Sequence, residues 1–250
     1  MAHYKMTASS RVGCVRTNNE DMLLVGENLL RNAKMSYEFD TEQTGRFLVA
    51  LADGMGGHNC GEVASEDVLS NLRYYFNDLP ANLSPEEFNE AICGWLKSVC
   101  LMISSKGQSD PTFRDMGTTL VALAYYGNDY YWMNCGDSRL YLLHQGDFRQ
   151  LTVDHSLSNL LGSTKHSSQI VNCIGGGSQD SYIDIIRCTE QIGEGDMLML
   201  CSDGLTDMVS DEEIKRMLIE GFDADALCQA ADDAGGRDNV SVTLIQVEKL

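Results

Sequence analysis

Phe47-Leu48-Val49-Ala50-Leu51-Ala52-Asp53-Gly54 is an unbroken apolar run that ends on an acid and a glycine. A short run with no polar alternation, closed by a turn signal, reads as a strand buried on both faces. Downstream, Gly61 to Asp78 places Val63, Val68, Leu69, Leu72 and Phe76 at helical spacing. Ser84-Pro85 reads as a capped helix start that runs on through Phe88, Ile92, Leu96 and Val99. Upstream, Asp21 opens the apolar string Met22-Leu23-Leu24-Val25.

From Gly117 the pattern changes to strands. Thr118 to Leu123 is one, and Tyr130 to Asn134 is a second after a turn at Gly127-Asn128-Asp129. Leu140 to Leu143 and Phe148 to Leu151 follow, joined by a turn at Gln145-Gly146-Asp147. Met197 to Cys201 is another buried run and ends at Ser202-Asp203-Gly204. Asp211 opens a helix with acids in its first turn, Asp223 to Ala234 is a further helix, and Asn239 to Val247 is a closing strand. Strand clusters and helices without strict alternation predict an α+β fold with largely antiparallel sheets. No linker tract or internal repeat divides the chain, so residues 1–250 are expected to form a single domain.

The 250 residues carry 18 Lys+Arg against 37 Asp+Glu, a formal charge of −19. That balance excludes duplex nucleic acid and an anionic membrane surface as main partners, because their phosphates would be repelled. No apolar run reaches membrane-spanning length, and the first residues lack a signal-peptide core. The nine cysteines, 14, 60, 93, 100, 135, 173, 188, 201 and 228, are odd in number and contain no C-x-x-C. They read as reduced, small core residues of a cytoplasmic protein rather than as a zinc site or disulfide framework.

The position of the carboxylates is more informative. Asp21, Asp53, Asp137, Asp203 and Asp238 all sit at strand termini, three of them beside glycine. Taken singly, each is more readily a turn residue. Brought to one end of the sheets they would form an acidic cluster. Two carboxylates about 4 Å apart repel by roughly 1 kcal/mol in water and about 4 kcal/mol at an intermediate dielectric. Hard divalent cations relieve this, since Mg²⁺ and Mn²⁺ favour carboxylate, carbonyl and water oxygens. Two such ions would also attract a phosphate and activate water against it.

The strings around these acids resemble the PP2C-type metal-dependent Ser/Thr protein phosphatases in their bacterial-style spelling. Val15-Arg16-Thr17-Asn18-Asn19-Glu20-Asp21 is similar to the N-terminal motif. Asp53-Gly54-Met55-Gly56-Gly57-His58, followed by Gly61-Glu62 and Ala64-Ser65, is the most specific match. Gly117-Thr118-Thr119, Cys135-Gly136-Asp137-Ser138-Arg139, Leu151-Thr152-Val153-Asp154-His155-Ser156, Ser202-Asp203-Gly204-Leu205 and Arg237-Asp238-Asn239-Val240-Ser241 follow in family order. The resemblance implies two antiparallel sheets packed together with helices outside. It implies that Asp53 bridges two Mn²⁺ or Mg²⁺ ions, with the Gly54 carbonyl, Asp203 and Asp238 as further ligands. Glu20 and Asp21 would act through metal-bound waters, and Asp137 with Asp203 would suit a third, weaker site. Arg16 would grip the substrate phosphate with its planar fork, where the plainer reading is a surface salt bridge. Arg16, Asp53, Asp203 and Asp238 are thus the expected catalytic set.

Two departures from the family pattern stand out. Met55 replaces the His that serves as proposed general acid in animal members, and that role is not transferred to His58. His58 and His155 read equally as structural or catalytic. After His155, Lys165-His166-Ser167-Ser168-Gln169-Ile170-Val171-Asn172-Cys173-Ile174 and Gly175-Gly176-Gly177 lack the usual His-Pro and Arg-Asn signature, which predicts a reduced or reshaped flap. The three glycines read as a turn.

Rival chemistries fail on spacing. No cysteine has Arg six residues on, no Asp-x-Asp-x-Thr/Val occurs, and there is no G-x-S-x-G or P-loop lysine. Gly54-Met55-Gly56-Gly57 would need a glycine at Asn59 to read as a dinucleotide loop. The expected activity is therefore dephosphorylation of phosphoserine and phosphothreonine in proteins, by in-line attack of a metal-bridging water. The alternative is a metal-binding regulatory module of the same fold with weak catalysis. The expected partners are phosphoproteins made by a Ser/Thr kinase in signalling, with the chain acting as a monomer.

Overall fold

A computed structural model describes residues 3–40, 45–55, 60–162, 169–178 and 180–249. Gly56, Gly57 and His58 and the flap residues Lys165 to Ser168 lie outside the described residues.

The chain begins with β1 (His3–Arg11), β2 (Asp21–Val25), β3 (Asn28–Leu30), β4 (Lys34–Asp40) and β5 (Arg46–Met55). Two long helices follow, α1 (Gly61–Asp78) and α2 (Pro85–Ser109). Next come β6 (Gly117–Thr118), β7 (Leu120–Tyr126), β8 (Asp129–Cys135), β9 (Arg139–His144) and β10 (Asp147–Gln150). The short α3 (Leu157–Leu160) precedes β11 (Ile174–Gly175), β12 (Asp184–Arg187) and β13 (Met197–Cys201). The chain closes with α4 (Asp203–Thr206), α5 (Asp211–Ile219), α6 (Ala224–Asp233) and β14 (Val240–Lys249).

The strands form two antiparallel sheets. One runs β10-β9-β13-β14-β1-β4; the other runs β11-β6-β5-β7-β8-β12, with β2 on β5 and β3 on β2. The pleat explains the continuous apolar runs, because successive side chains serve opposite layers. Leu23, Val25, Val49 and Leu51 point between the sheets with Tyr4, Met6, Leu198, Leu200 and Ile245. Met22, Leu24, Ala50 and Ala52 point outward against Val68, Leu72, Phe88, Ile92 and Trp95 of α1 and α2. On the other sheet, Tyr141, Met199, Val242 and Leu244 meet Ile214, Leu218, Leu227 and Ala231 of α5 and α6. The α+β expectation and the sandwich implied by the resemblance both hold.

Local differences from the sequence reading have physical causes. α2 is capped at Ser84 by a full capping box, but extends beyond Val99 to Ser109, with its buried stripe continuing to Ile103. The strand expected from Thr118 to Leu123 breaks at Thr119, whose N–H bonds to the Asp53 carbonyl outside the ladder. Asp203 follows β13 across Ser202, as read from the sequence, and also opens α4, with Ser202 at the cap position. Gly175 pairs as part of β11, leaving Gly176 and Gly177 as the turn. The cysteine expectation is corrected at three positions: Cys14 and Cys93 are exposed and Cys100 is partly so, while the other six are buried. No disulfide links any of the nine.

Candidate active site

The register of β2 on β5 places Asp21 directly opposite Asp53. Asp21 is buried; its Oδ2 accepts a 2.8 Å hydrogen bond from the Ser202 hydroxyl, and its Oδ1 has no donor. Burial and the neighbouring Asp203 and Asp238 raise its pKa, against the stabilising hydroxyls of Ser241 and Ser202. Asp53 does not follow the strand but lies inside β5, two residues before its end at Met55, because Gly54 and Met55 go on to pair with β6. Desolvation and, next, the charges of Asp21, Asp203, Asp137 and Asp238 push its carboxyl well above the usual range. Asp203, within hydrogen-bonding reach of Asp53, is likewise raised, chiefly by desolvation and then by Asp207 and Asp238. Asp137, in the turn between β8 and β9, is buried and pushed up to about 7 by desolvation and by Asp203.

The backbone of this end is held closely. Asp53 N–H donates to Thr119 Oγ1 (3.0 Å), and the Asp53 carbonyl accepts from Thr119 N–H (2.9 Å) and Thr118 Oγ1 (2.8 Å). Gly54 N–H donates to the Glu20 carbonyl at 3.1 Å. A Cβ on Gly54 would collide with the Gly61 carbonyl, so the start of α1 packs against the end of β5 only because both residues are glycine. A Cβ on Gly61 would in turn stand 2.8 Å from the Glu20 carboxyl carbon and 2.8 Å from the Gly54 oxygen. Glu20 is partly buried, its carboxyl raised by desolvation and by Glu62. Its N–H donates to Asn239 Oδ1 at 2.8 Å, and Asn239 also ties down the carbonyls of Val12 and Asn18. The N-terminal motif and the C-terminal Asp238 segment are thus bolted together.

Arg16 is half-exposed and donates from Nη2 to Asp238 Oδ2 at 2.7 Å. The salt bridge considered from sequence is therefore present, but its partner is one of the expected metal ligands. The guanidinium also feels Glu20 and Asp53, so it stands at the mouth of the cluster. All seven expected site residues, Glu20, Asp21, Asp53, Gly54, Asp137, Asp203 and Asp238, lie around this end of the sandwich together with Arg16. Among the described residues, no three His, Cys, Asp or Glu side chains are drawn together as the ligands of one ion. The donor set nevertheless fits hard divalent cations. It is all oxygen, it includes an orphaned buried carboxylate oxygen, and its members raise one another's pKa without an interior Lys or His.

Several supporting residues sat inside the recognised strings without an assigned part. Thr118 and Thr119 hold the Asp53 backbone, Ser202 holds Asp21, and Asn239 holds Glu20. Glu62, whose Oε2 is buried without a partner, belongs to the same acidic surroundings. Polar residues flanking the acids at strand ends were the available signal.

Comparison with known proteins agrees with this geometry. A family model described as protein phosphatase 2C matches residues 34–236. Arg16, Glu20, Asp21 and Asp238 fall outside that span, but relatives cover them. Protein phosphatase PhpP of Streptococcus pneumoniae is 32% identical over 251 residues, covering 95% of this chain and 95% of that protein. The structure of the Streptococcus agalactiae serine/threonine phosphatase superposes with a TM-score of 0.79 at 30% identity, covering 98% of this chain and 100% of that one. The catalytic domain of the serine/threonine protein phosphatase PstP, solved in complex with two manganese ions, superposes with a TM-score of 0.75 at 31% identity over 100% of both chains. With a family model matched over residues 34–236 and a relative 32% identical across 95% of both chains, the chain belongs to the protein phosphatase 2C family.

Proposed function

We propose that residues 1–250 form one catalytic unit that removes phosphate from phosphoserine and phosphothreonine in proteins, with Mn²⁺ or Mg²⁺ as cofactor. The observation that carries this is the meeting of Asp21 and Asp53 across β2 and β5 with Asp137, Asp203 and Asp238 from three other segments. Asp53, the Gly54 carbonyl, Asp203 and Asp238 are the residues to hold two divalent ions. Glu20 and Asp21 act behind them, and Asp137 with Asp203 suits a third. When bound, the ions supply an activated water for in-line attack on phosphorus and positive charge for the phosphoryl oxygens.

The protein's own groups do the rest. Arg16, at the mouth, is placed to exchange its Asp238 partner for two phosphoryl oxygens, orienting the phosphate as charge redistributes. Thr118 and Thr119 fix the Asp53 backbone so that its carboxylate need not reorganise during the reaction. Met55 at the end of β5 has no proton to give, so the leaving alkoxide takes its proton from another source.

The natural substrates are phosphoproteins made by a Ser/Thr kinase, and the chain acts as a cytoplasmic monomer in signalling. No helix among the described residues is long and apolar enough to cross a membrane. Phosphate release from a phosphothreonine peptide tests the reading. Activity is expected with Mn²⁺ and not in excess chelator; full activity in chelator, or in Asp203→Asn, overturns it.

A further inference from the structure

His155 is a buried imidazole that the proposed chemistry does not use. We propose that His155 is a positioning residue for Asp137, fastening the turn that carries Asp137 to Val171, Asn172, Tyr182 and Asp184. This rests on the reading of Asp137 as a functional acid.

The hydrogen bonds fix both the tautomer and the direction of the link. His155 Nδ1 faces two donors, the Gly136 N–H at 3.2 Å and the Asn172 side-chain NH₂ at 2.7 Å. It is therefore the acceptor, and Nε2 carries the proton, directed to Asp184 Oδ2 at 3.0 Å. The His155 backbone N–H returns a bond to the Gly136 carbonyl at 2.9 Å, so both polar groups of Gly136 close on this one residue. On the far side, Val171 N–H donates to the His155 carbonyl at 2.8 Å, and the Tyr182 ring lies 4.7 Å from the imidazole. Asn172 binds the Tyr182 backbone through both ends of its amide.

Gly136 is a joint held chiefly by this packing, its carbonyl also accepting from the Asn134 side-chain NH₂ at 3.3 Å. Its φ of +128° is one that side-chain-bearing residues rarely adopt, and a Cβ there would stand 2.6 Å from Thr119 Cβ. Thr119 bonds Ser138 in the same turn and Asp53 in β5. Releasing Gly136 from His155 would let Asp137 move relative to Asp53. Distortion of such supporting contacts around metal sites typically costs 10- to 100-fold in affinity or activity.

Isosteric variants separate the two ends of the ring. Asn carries an oxygen where His has Nδ1, so His155→Asn keeps the acceptor for Gly136. Gln reaches the Nε2 position, so His155→Gln keeps the Asp184 contact and drops the Gly136 one. The experiment measures kcat and KM on a phosphothreonine peptide with Mn²⁺, and Mn²⁺ binding by calorimetry, with thermal melting to establish folding. His155→Leu and His155→Gln are expected to lose about tenfold in kcat and to weaken the weakest Mn²⁺ site. His155→Asn is expected to stay within about threefold of the parent. In an Asp137→Asn background, His155→Leu is expected to cost less than about twofold, because its effect runs through Asp137.

Equal losses in both backgrounds, or His155→Asn behaving like His155→Leu, overturn the proposal. Should His155→Leu fail to fold, the Asn and Gln pair decides by itself. A parent protein with normal Mn²⁺-dependent activity but additive losses removes only the role of His155. A parent without such activity removes the phosphatase reading and this one with it.

Discussion

Asp53 shows how one side chain can be costly to the fold and necessary to the chemistry. Its carboxyl is raised by burial and by four other acids, so each ionised neighbour makes its own ionisation harder. Asp53→Asn keeps the shape and removes one charge from that repulsion, about 1–4 kcal/mol per close pair. The expected result is a loss of at least about a hundredfold in phosphate release together with a higher melting temperature in chelator. A lower melting temperature in chelator would show that the cluster is not under repulsion. Arg16 poses a different residue question. Its half-exposed guanidinium contributes through two-point geometry, so Arg16→Lys should raise KM for a phosphopeptide about tenfold despite keeping the charge. Steady-state kinetics at saturating Mn²⁺ checks this. At this scale the acids were legible in the sequence because five of them recur beside apolar runs, each within a longer string, although any one alone reads as a turn. Thr118, Thr119 and Ser202 were not, since a hydroxyl at a strand end is equally a turn residue until its partner is known.

The elements were legible where one period dominated. Gly61–Asp78 and the capped start at Ser84 are where helical spacing put them, and Phe47 to Ala52 lies within β5. β1 and β4 escaped notice although Tyr4, Met6, Met35, Tyr37 and Phe39 alternate towards the core. Both are half-polar strands at one side of their sheet, with His3 to Asp40 hydrogen-bonded across them, so no apolar run marks them. α4 was hidden because four residues cannot show a period. The cap of α2 gives a test that separates stability from activity. Ser84 Oγ accepts from Glu87 N–H, and Glu87 returns a bond to Ser84 N–H at 2.8 Å. Neighbouring Leu83 donates to the Tyr126 hydroxyl, and Tyr126 pairs with Arg46 at the opposite end of β5 from Asp53. At roughly 3.3 Å per residue that end is about 23 Å from Asp53. Ser84→Ala should therefore cost about 1 kcal/mol and lower the melting temperature by about 2–4 °C. Its kcat and KM should equal those of the parent, and a change in either would tie this helix end to the site.

Across the whole molecule, acids from residue 21 to residue 238 meet in a chain that already carries −19. The raised pKa values of Asp21, Asp53, Asp137 and Asp203 set a pH dependence whose sign is definite. Asp137 at about 7, and Asp21, Asp53 and Asp203 also raised, bind protons in the folded state that the unfolded chain gives up near its ordinary carboxylate range. Between about pH 4 and 7 the folded form thus holds more protons, and its stability falls as pH rises through that window. An opposing set exists, such as Asp225, held low by Lys34 and then Arg11, but its contribution is lost only below the window. In chelator, lowering the pH from 7.5 to 5.5 should therefore raise the melting temperature. Divalent ions neutralise the same carboxylates, so the shift produced by Mn²⁺ should be larger at pH 7.5 than at 5.5. General relief of the −19 charge would act in the same direction, and Asp53→Asn separates the two. It removes one charge from the total but a central member from the cluster, so the slope in chelator should flatten well beyond a one-in-nineteen change. An unchanged slope would assign the pH dependence to the surface, and the claim that these distant carboxylates share one site would lose its thermodynamic support.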